Sequence, residues 1–164
     1  IVKLLINSGL RVGELCALDR TDVEISERAG VVEVRSGKGG KSRAVPLNVE
    51  ARRALVTWLD WRGPYTTSSD REFLLGADAL FIGLDGCRLT ARGVQYLIKD
   101  YGRRANVTII PHQLRHYFAK SLIDAGANLV EISKLLGHTS INTTSIYTQP
   151  GPADLERAVS RLDY

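Results

Sequence analysis

The stretch VRSGKGGKSRAVPL, residues 34–47, decides how the fold is interpreted. β-Branched residues lead into it at 31–35, and the apolar run at 43–47 follows a turn that contains three glycines. Two short apolar runs joined by a glycine-rich turn predict an antiparallel β-hairpin. This segment therefore introduces a small sheet into a chain whose other patterns are helical.

The Gly-Lys-Ser sequence at 40–42 also resembles the end of an ATPase phosphate-binding loop. That loop needs a glycine where Arg35 stands and a helix where the strand pattern 43–47 follows. We therefore expect no nucleotide site. The glycines instead predict a hairpin tip that bends freely and carries Lys38 outward, with Lys41 as its neighbour.

Outside the hairpin, most of the chain has helical periodicity and helix end signals. Helices are predicted at 1–8, at 12–18, from Asn48 to Gly63, from Thr90, from Pro111 to Gly126, from Asn128 to Gly137 and at 152–162. Residues 64–78 are predicted as a polar loop, and ALFIG at 79–83 as a short strand. The fold class is therefore α+β, mainly α-helical with a small antiparallel β-sheet.

The composition limits the possible partners only weakly. Lys and Arg total 22 against 18 acidic residues, and this mild excess permits a polyanionic partner without requiring one. No apolar run approaches the roughly 20 residues that span a bilayer, so no membrane is expected. Cys16 and Cys87 are predicted to be reduced thiols of a cytosolic protein. A chain that begins at Ile1 and has no methionine is expected to be part of a longer protein.

GLRVGEL at 9–15 carries the first candidate site residues. The planar, permanently charged guanidinium of Arg11 suits two phosphate oxygens at once. Glu14 lies about one helical turn further on and is placed to orient that guanidinium. Taken alone, the two residues are more typical of a surface ion pair.

PHQLRH at 111–116 carries the second set. His112 and Arg115 are three residues apart, so they project from one face of the first helical turn. A group that exchanges protons near neutral pH, beside a fixed cation, suits a phosphodiester. His116 also allows a zinc interpretation, but no third ligand stands at a suitable spacing, so no metal is expected.

LLGHTSINTTSIYTQ at 135–149 carries the last set. His138 follows the glycine that ends a helix, and Tyr147 stands nine residues further on in a polar segment. In isolation, Tyr147 is more typical of a half-buried core tyrosine.

Together and in this order, GLRVGEL, GKGGKSRAVPL, PHQLRH and LLGHTSINTTSIYT resemble the tyrosine recombinase (phage integrase) family across nearly all of the chain. The resemblance implies the catalytic-domain fold of that family, with residues 1–164 as a C-terminal catalytic domain. A separate N-terminal DNA-binding domain and the first residues of the catalytic domain are expected to lie outside this chain.

The resemblance also implies a reaction. Tyr147 is the expected nucleophile, which attacks a DNA phosphodiester, forms a 3′-phosphotyrosyl bond and frees a 5′-hydroxyl. Lys38 is the expected general acid for the departing oxygen, and His112 assists proton transfer at the tyrosine. This chemistry conserves the energy of the broken linkage in a covalent bond, so neither ATP nor a metal nor another cofactor is expected.

The remaining implied roles concern the scissile phosphate. Arg11 and Arg115 are expected to clamp its non-bridging oxygens, and His138 to donate a hydrogen bond to it. Glu14 matches the supporting acid of the arginine motif.

The implied partner is double-stranded DNA. Contacts with the DNA backbone are expected from further basic residues, namely Lys41, Arg43, Arg92, Lys99, Arg103 and Arg104. The amphipathic segment 153–162 either mediates self-assembly, as a tetramer on two DNA sites, or packs within its own chain.

The sequence is compatible with three functions. The favoured one is a cytoplasmic site-specific recombinase or integrase of a phage, mobile element or chromosome. The second is a type IB topoisomerase-like enzyme, which shares the chemistry but relaxes DNA at any sequence. The third is a DNA-binding module that has lost catalysis.

Overall fold

The computed structural model describes residues 1–35, 42–62 and 78–138, together with Glu156, Val159 and Ser160. Six helices lie in these ranges: α1 (Val2–Ser8), α2 (Val12–Ala17), α3 (Val49–Arg62), α4 (Ala91–Arg104), α5 (Pro111–Asp124) and α6 (Leu129–Leu136). Three strands accompany them: β1 (Val23–Ile25), β2 (Gly30–Val34) and β3 (Arg43–Pro46). A short 3-10 helix, Arg20–Asp22, precedes β1. The mainly helical α+β class predicted from the sequence is confirmed.

The three strands form one antiparallel sheet in the order β1-β2-β3. Val32 of β2 pairs with Val45 of β3, and Val34 pairs with Arg43. Side chains directly opposite each other in a sheet share a face. Because Val34 and Val45 are both buried, the side chain of Arg43 also lies on the inner face.

Two details of the sheet differ from the sequence-based expectation. β1 was not predicted, because three residues are too short to show a period of two. The strand expected at 79–83 is instead an extended connection with isolated bridges, Ala79 to Asp19 and Ile82 to Arg88. Residues 79–81 are nevertheless fully buried, and this burial explains the apolar run that suggested a strand.

Helix ends follow the local signals in the sequence. Thr90 caps α4 through its side chain, and Asn128 and Glu131 form a reciprocal cap at the start of α6. Gly9 ends α1 and Gly137 ends α6, both in the left-handed conformation that glycine adopts without strain.

The apolar core brings the helix ends together. α1 packs against α3 and α5, and Leu4, Leu5 and Leu15 lie in the main core. A smaller cluster formed by Phe118, Ala119, Ile132 and Leu136 joins α5 to α6. The end of α1, the starts of α2 and α5, and the end of α6 therefore meet on one side. None of the helices that the structure describes is long and apolar enough to cross a membrane.

Candidate active site

Glu14 is the centre of an ion-pair cluster at the start of α2. One of its oxygens, Oε2, accepts the backbone N–H of Arg11 at 2.8 Å, and Oε1 accepts Nη1 of the same arginine at 2.8 Å. Arg43 donates Nη1 to Oε1 at 2.9 Å and Nη2 to Oε2 at 2.8 Å. A single buried carboxylate therefore fixes two guanidinium groups, as the sequence predicted for Arg11 but not for Arg43.

The Glu14 carboxylate is charged despite its burial. Burial alone would raise its pKa, but the hydrogen bonds from Arg43 and from the Arg11 backbone, together with the positive charges, lower the pKa below its ordinary value. The acid thus stays ionised across the neutral range. An ionised Glu14 can hold both arginines in place.

Arg115 is buried, with only 4% of its surface exposed. Its Nη1 donates to the carbonyl of Gly9 at the end of α1, and Nη2 donates to the carbonyl of Leu136 at the end of α6, at 2.7 Å. Carbonyls at helix C-termini lack helical partners and carry partial negative charge, so they suit a cation. This arrangement needs Gly9, because a Cβ at that position would collide with the ring of Phe118.

His138 lies directly beside Arg115, whose Nη2 is 3.0 Å from the His138 Nε2. An arginine can only donate, so this contact makes Nε2 an acceptor and places the proton of a neutral ring on Nδ1. Burial, and then the charges of Arg115, Arg11 and Arg43, lower the pKa of His138 to about 4, while Glu14 opposes them weakly. His138 is therefore neutral at physiological pH.

We predict that an NMR titration of the His138 ring gives a midpoint near pH 4. Above its ordinary pKa of 6.5, neither the folded nor the unfolded chain binds this proton, so the contribution of His138 to stability is complete. As the pH falls from 6.5 towards 4, only the unfolded chain takes up the proton, and the free energy of unfolding decreases. A midpoint at or above 6.5 would contradict the proposed contact with Arg115.

A cleft of about 670 Å³ opens beside the arginines. Its polar lining includes Arg11, His112 and Arg115, together with Gln95 and Lys99 of α4. The rest of its lining is mostly apolar and includes Leu10, Val12, Ile109, Ile110 and Pro111. His112 and Arg115 thus face one cleft, as their spacing predicted, although the imidazole is exposed and the guanidinium is buried.

His112 also contacts His116, with the two rings edge to face at 4.3 Å between centroids. Burial, and then the charges of His112 and Arg115, lower the pKa of His116. Across the described ranges 1–35, 42–62 and 78–138, no group of three or more potential ligands is arranged to hold a metal ion.

The further basic residues occupy two different environments. Arg92, Lys99, Arg103 and Arg104 are exposed on α4, and the last two pair with Asp100 at 2.8 Å. Arg43 was grouped with these surface cations from the sequence, but its side chain is only 9% exposed and is bonded within the protein. Lys38, Lys41 and Tyr147 lie outside the described residues, so their placement stays a prediction.

The Glu14 cluster yields a stability prediction. Glu14→Gln removes the only carboxylate within reach of Arg43 among the described contacts and leaves that buried guanidinium without a counter-charge. We expect the free energy of unfolding at pH 7 to fall by about 3–5 kcal/mol, the usual cost of breaking a buried pair. Urea denaturation measures it.

Glu50→Gln is the matched control, because Glu50 pairs with Lys3 on the exposed surface. Glu50→Gln should leave the midpoint of urea unfolding almost unchanged. Equal effects of the two substitutions would show that the Glu14 cluster contributes no more than a surface pair.

The model of the phage integrase family matches residues 1–153. Tyrosine recombinase XerA of Thermococcus kodakarensis is 39% identical over 158 residues, which cover 96% of this chain and 52% of the relative. Tyrosine recombinase XerD of Ralstonia nicotianae is 44% identical over 153 residues, covering 90% of this chain and 46% of the relative. The chain thus spans about half the length of the curated relatives it matches.

Two similar solved structures are also recombinases. The crystal structure of XerA recombinase has a TM-score of 0.80 at 34% identity, over 99% of this chain and 57% of that one. XerH site-specific recombinase, bound to its difH substrate in a pre-cleavage complex, has a TM-score of 0.76 at 28% identity, over 99% of this chain and 46% of that one.

The fold and the matches define an α+β domain of the tyrosine recombinase class. The chain belongs to the phage integrase family of tyrosine recombinases.

Proposed function

We propose that this chain is the C-terminal catalytic domain of a site-specific recombinase that cleaves and rejoins DNA through a covalent 3′-phosphotyrosine. The observation that carries the proposal is the cluster of Arg11, Arg43 and Arg115 around Glu14, with neutral His138 beside it. Three guanidiniums and one carboxylate leave a local excess of two positive charges at the edge of a cleft. Such a site attracts a phosphate group.

The two arginines that border the cleft have the chemistry needed for the scissile phosphate. Attack on a phosphodiester places additional negative charge on the non-bridging oxygens, which Arg11 and Arg115 stabilise. Their orientation is set before DNA binds, because Glu14 holds Arg11 and two helix ends hold Arg115. His138 donates the N–H of its neutral ring to a phosphate oxygen.

The nucleophile and the general acid are assigned from the sequence. Tyr147 attacks phosphorus, its phenolic proton leaves with the help of His112, and the bond to the 5′-oxygen breaks as Lys38 protonates that oxygen. In the reverse direction the 5′-hydroxyl attacks the phosphotyrosine and restores the tyrosine. No bond energy is lost to water, so neither ATP nor a metal is needed.

Double-stranded DNA is the proposed partner. XerH in the solved complex is bound to its difH substrate, and Lys99 of α4 lines the same cleft as Arg11 and Arg115. Arg92, Lys99, Arg103 and Arg104 are proposed to contact the DNA backbone. Assembly as a tetramer through 153–162 and a cytoplasmic location remain predictions from the sequence.

Covalent trapping tests the proposal. The protein is incubated, with EDTA and without nucleotide, with nicked duplexes from the DNA flanking its gene, whose short 5′-hydroxyl fragment diffuses away after cleavage. We expect a protein–DNA band on a denaturing gel that protease digestion removes. Dependence on Mg²⁺ or ATP would contradict the mechanism, and DNA binding without any adduct would favour an inactive DNA-binding module. Relaxation of plasmid at any sequence would favour the topoisomerase.

Lys38→Ala tests the general acid. The variant should bind DNA nearly as well as the wild type but cleave about 10²–10⁴ times more slowly, the range that general acids contribute. A 5′-thiolate leaves without protonation, so a 5′-phosphorothiolate substrate should restore the rate of Lys38→Ala. Lys120→Ala, at an exposed lysine of α5 that pairs with Asp124, is the matched control and should cleave both substrates at nearly wild-type rates. Absence of rescue would exclude Lys38 as the acid.

A further inference from the structure

Arg43 is a largely buried arginine, with 9% of its side chain exposed, that joins three elements of the site. It lies at the start of β3, on the inner face of the sheet, opposite Val34. Its Nη1 and Nη2 form two parallel bonds to Glu14 of α2. Its Nε donates to the carbonyl of Leu135 in the last turn of α6 at 2.8 Å.

Arg43 bonds to two groups, the Glu14 carboxylate and the Leu135 carbonyl. Each of them helps to position other residues of the proposed site. Glu14 orients Arg11 through two hydrogen bonds of 2.8 Å. Leu135 lies three residues before His138, and the neighbouring carbonyl of Leu136 accepts from Arg115. The end of α6 is thus fixed by two arginines, one from β3 and one from α5, immediately before the chain reaches His138.

Close packing at Gly137 shows how tightly the guanidinium is seated. A Cβ at Gly137 would lie 2.8 Å from Nη1 of Arg43 and 3.0 Å from its Cζ. The glycine therefore serves two purposes, since its φ of +65° also suits the left-handed end of α6. A larger side chain there would displace Arg43.

We propose that Arg43 is a positioning residue for DNA cleavage, which fixes Arg11 through Glu14 and His138 through the end of α6. The inference rests on the proposed function and gives Arg43 a different role from the DNA-backbone contact expected from the sequence. Lysine cannot replace it, because one ammonium group cannot make two parallel bonds to a carboxylate and a third to a carbonyl in fixed geometry.

Arg43→Lys tests the geometry while the charge is kept. At saturating DNA, we expect single-turnover cleavage about 10 to 100 times slower, the scale of a misplaced catalytic group, with the dissociation constant for DNA changed less than threefold. The matched control is Arg88→Lys. Arg88 also bonds to a carboxylate, Asp19, and to two backbone carbonyls, those of Cys16 and Leu18. The Arg88→Lys variant should lose stability but keep the wild-type cleavage rate.

A second readout follows the charge on the histidine. His138 faces Arg115 from α5, Arg11 and Glu14 from the start of α2, and Arg43 from β3. Burial and the charges of Arg115 and Arg11 lower the pKa of His138 more than the charge of Arg43 does, so Arg43→Gln should raise the NMR titration midpoint only slightly above about 4. An unchanged midpoint would contradict the placement of the Arg43 guanidinium beside His138.

Gly137→Ala is a second test that does not depend on the folding of the Arg43 variants, because it displaces the Arg43 side chain without replacing it. Gly126→Ala is its control, because Gly126 also has a positive φ, +87°, but a Cβ there meets nothing within 4 Å. Of these two glycine substitutions, we expect only Gly137→Ala to slow cleavage. Because Gly137→Ala and Arg43→Lys both act through the Arg43 guanidinium, the double variant should be little slower than Arg43→Lys alone.

The outcomes separate the two proposals. A wild-type protein that forms no DNA adduct refutes the proposed function and, with it, the role of Arg43. A wild-type protein that forms the adduct, with Arg43→Lys cleaving as fast as Arg88→Lys or Gly137→Ala as fast as Gly126→Ala, refutes the role of Arg43 alone.

Discussion

Tyr147→Phe is expected to form no covalent adduct with DNA at all, while its affinity for DNA stays within about threefold of the wild type. The substitution removes one oxygen, the atom that would bond to phosphorus, and leaves the ring. Binding depends mainly on cations that contact phosphates, and those are unchanged. Denaturing gels of the nicked-duplex reaction measure the adduct, and gel shifts under native conditions measure binding.

Tyr117→Phe is the matched control for that experiment. Tyr117 is 60% exposed on α5, two residues beyond Arg115, so it is the described tyrosine nearest in sequence to a proposed catalytic residue. Its variant should form adduct at the wild-type rate. Adduct formation by Tyr147→Phe, or its loss in Tyr117→Phe, would show that the nucleophile has been assigned to the wrong residue.

Arg115→Lys is expected to lower the cleavage rate at saturating DNA by about 10²–10³-fold, the usual cost of removing one preorganised donor to a transition-state oxygen. Lysine keeps the charge but cannot bond at once to the carbonyls of Gly9 and Leu136 and to a phosphate. The affinity for uncleaved DNA should fall much less, because the charge that attracts the backbone remains. Single-turnover kinetics measure the first quantity, and equilibrium titration measures the second.

Loss of packing must be separated from loss of catalysis in this variant. The thermal midpoint of Arg115→Lys is measured first, and rates are compared well below it, with Arg88→Lys as a control for a partly buried arginine. A weaker affinity for DNA with an unchanged cleavage rate at saturating DNA would show that Arg115 binds the ground state and the transition state equally.

Much of the helical framework could be predicted because helix ends depend on neighbouring residues. The cap formed by Asn128 and Glu131 and the stops at Gly9 and Gly137 involve contacts within a few positions of the chain. The pairing of Arg11 with Glu14 was predictable for the same reason.

Contacts between distant segments could not be predicted in this way. Nothing local indicates that Arg43 lies against Glu14, 29 positions earlier, or that the carbonyls of Gly9 and Leu136 hold Arg115. One signal was available, however. Arg43 alternates along the sequence with Val45 and Leu47, which are both buried. This period of two indicates an inward-facing arginine rather than a surface cation.

The local excess of positive charge has a thermodynamic consequence for the folded chain. Cations held close together repel one another, and a single carboxylate, Glu14, cannot neutralise all three. A polyanion that fills the cleft only in the folded form shifts the folding equilibrium towards that form by mass action. The domain is therefore expected to melt at a higher temperature when DNA, its proposed substrate, occupies the cleft.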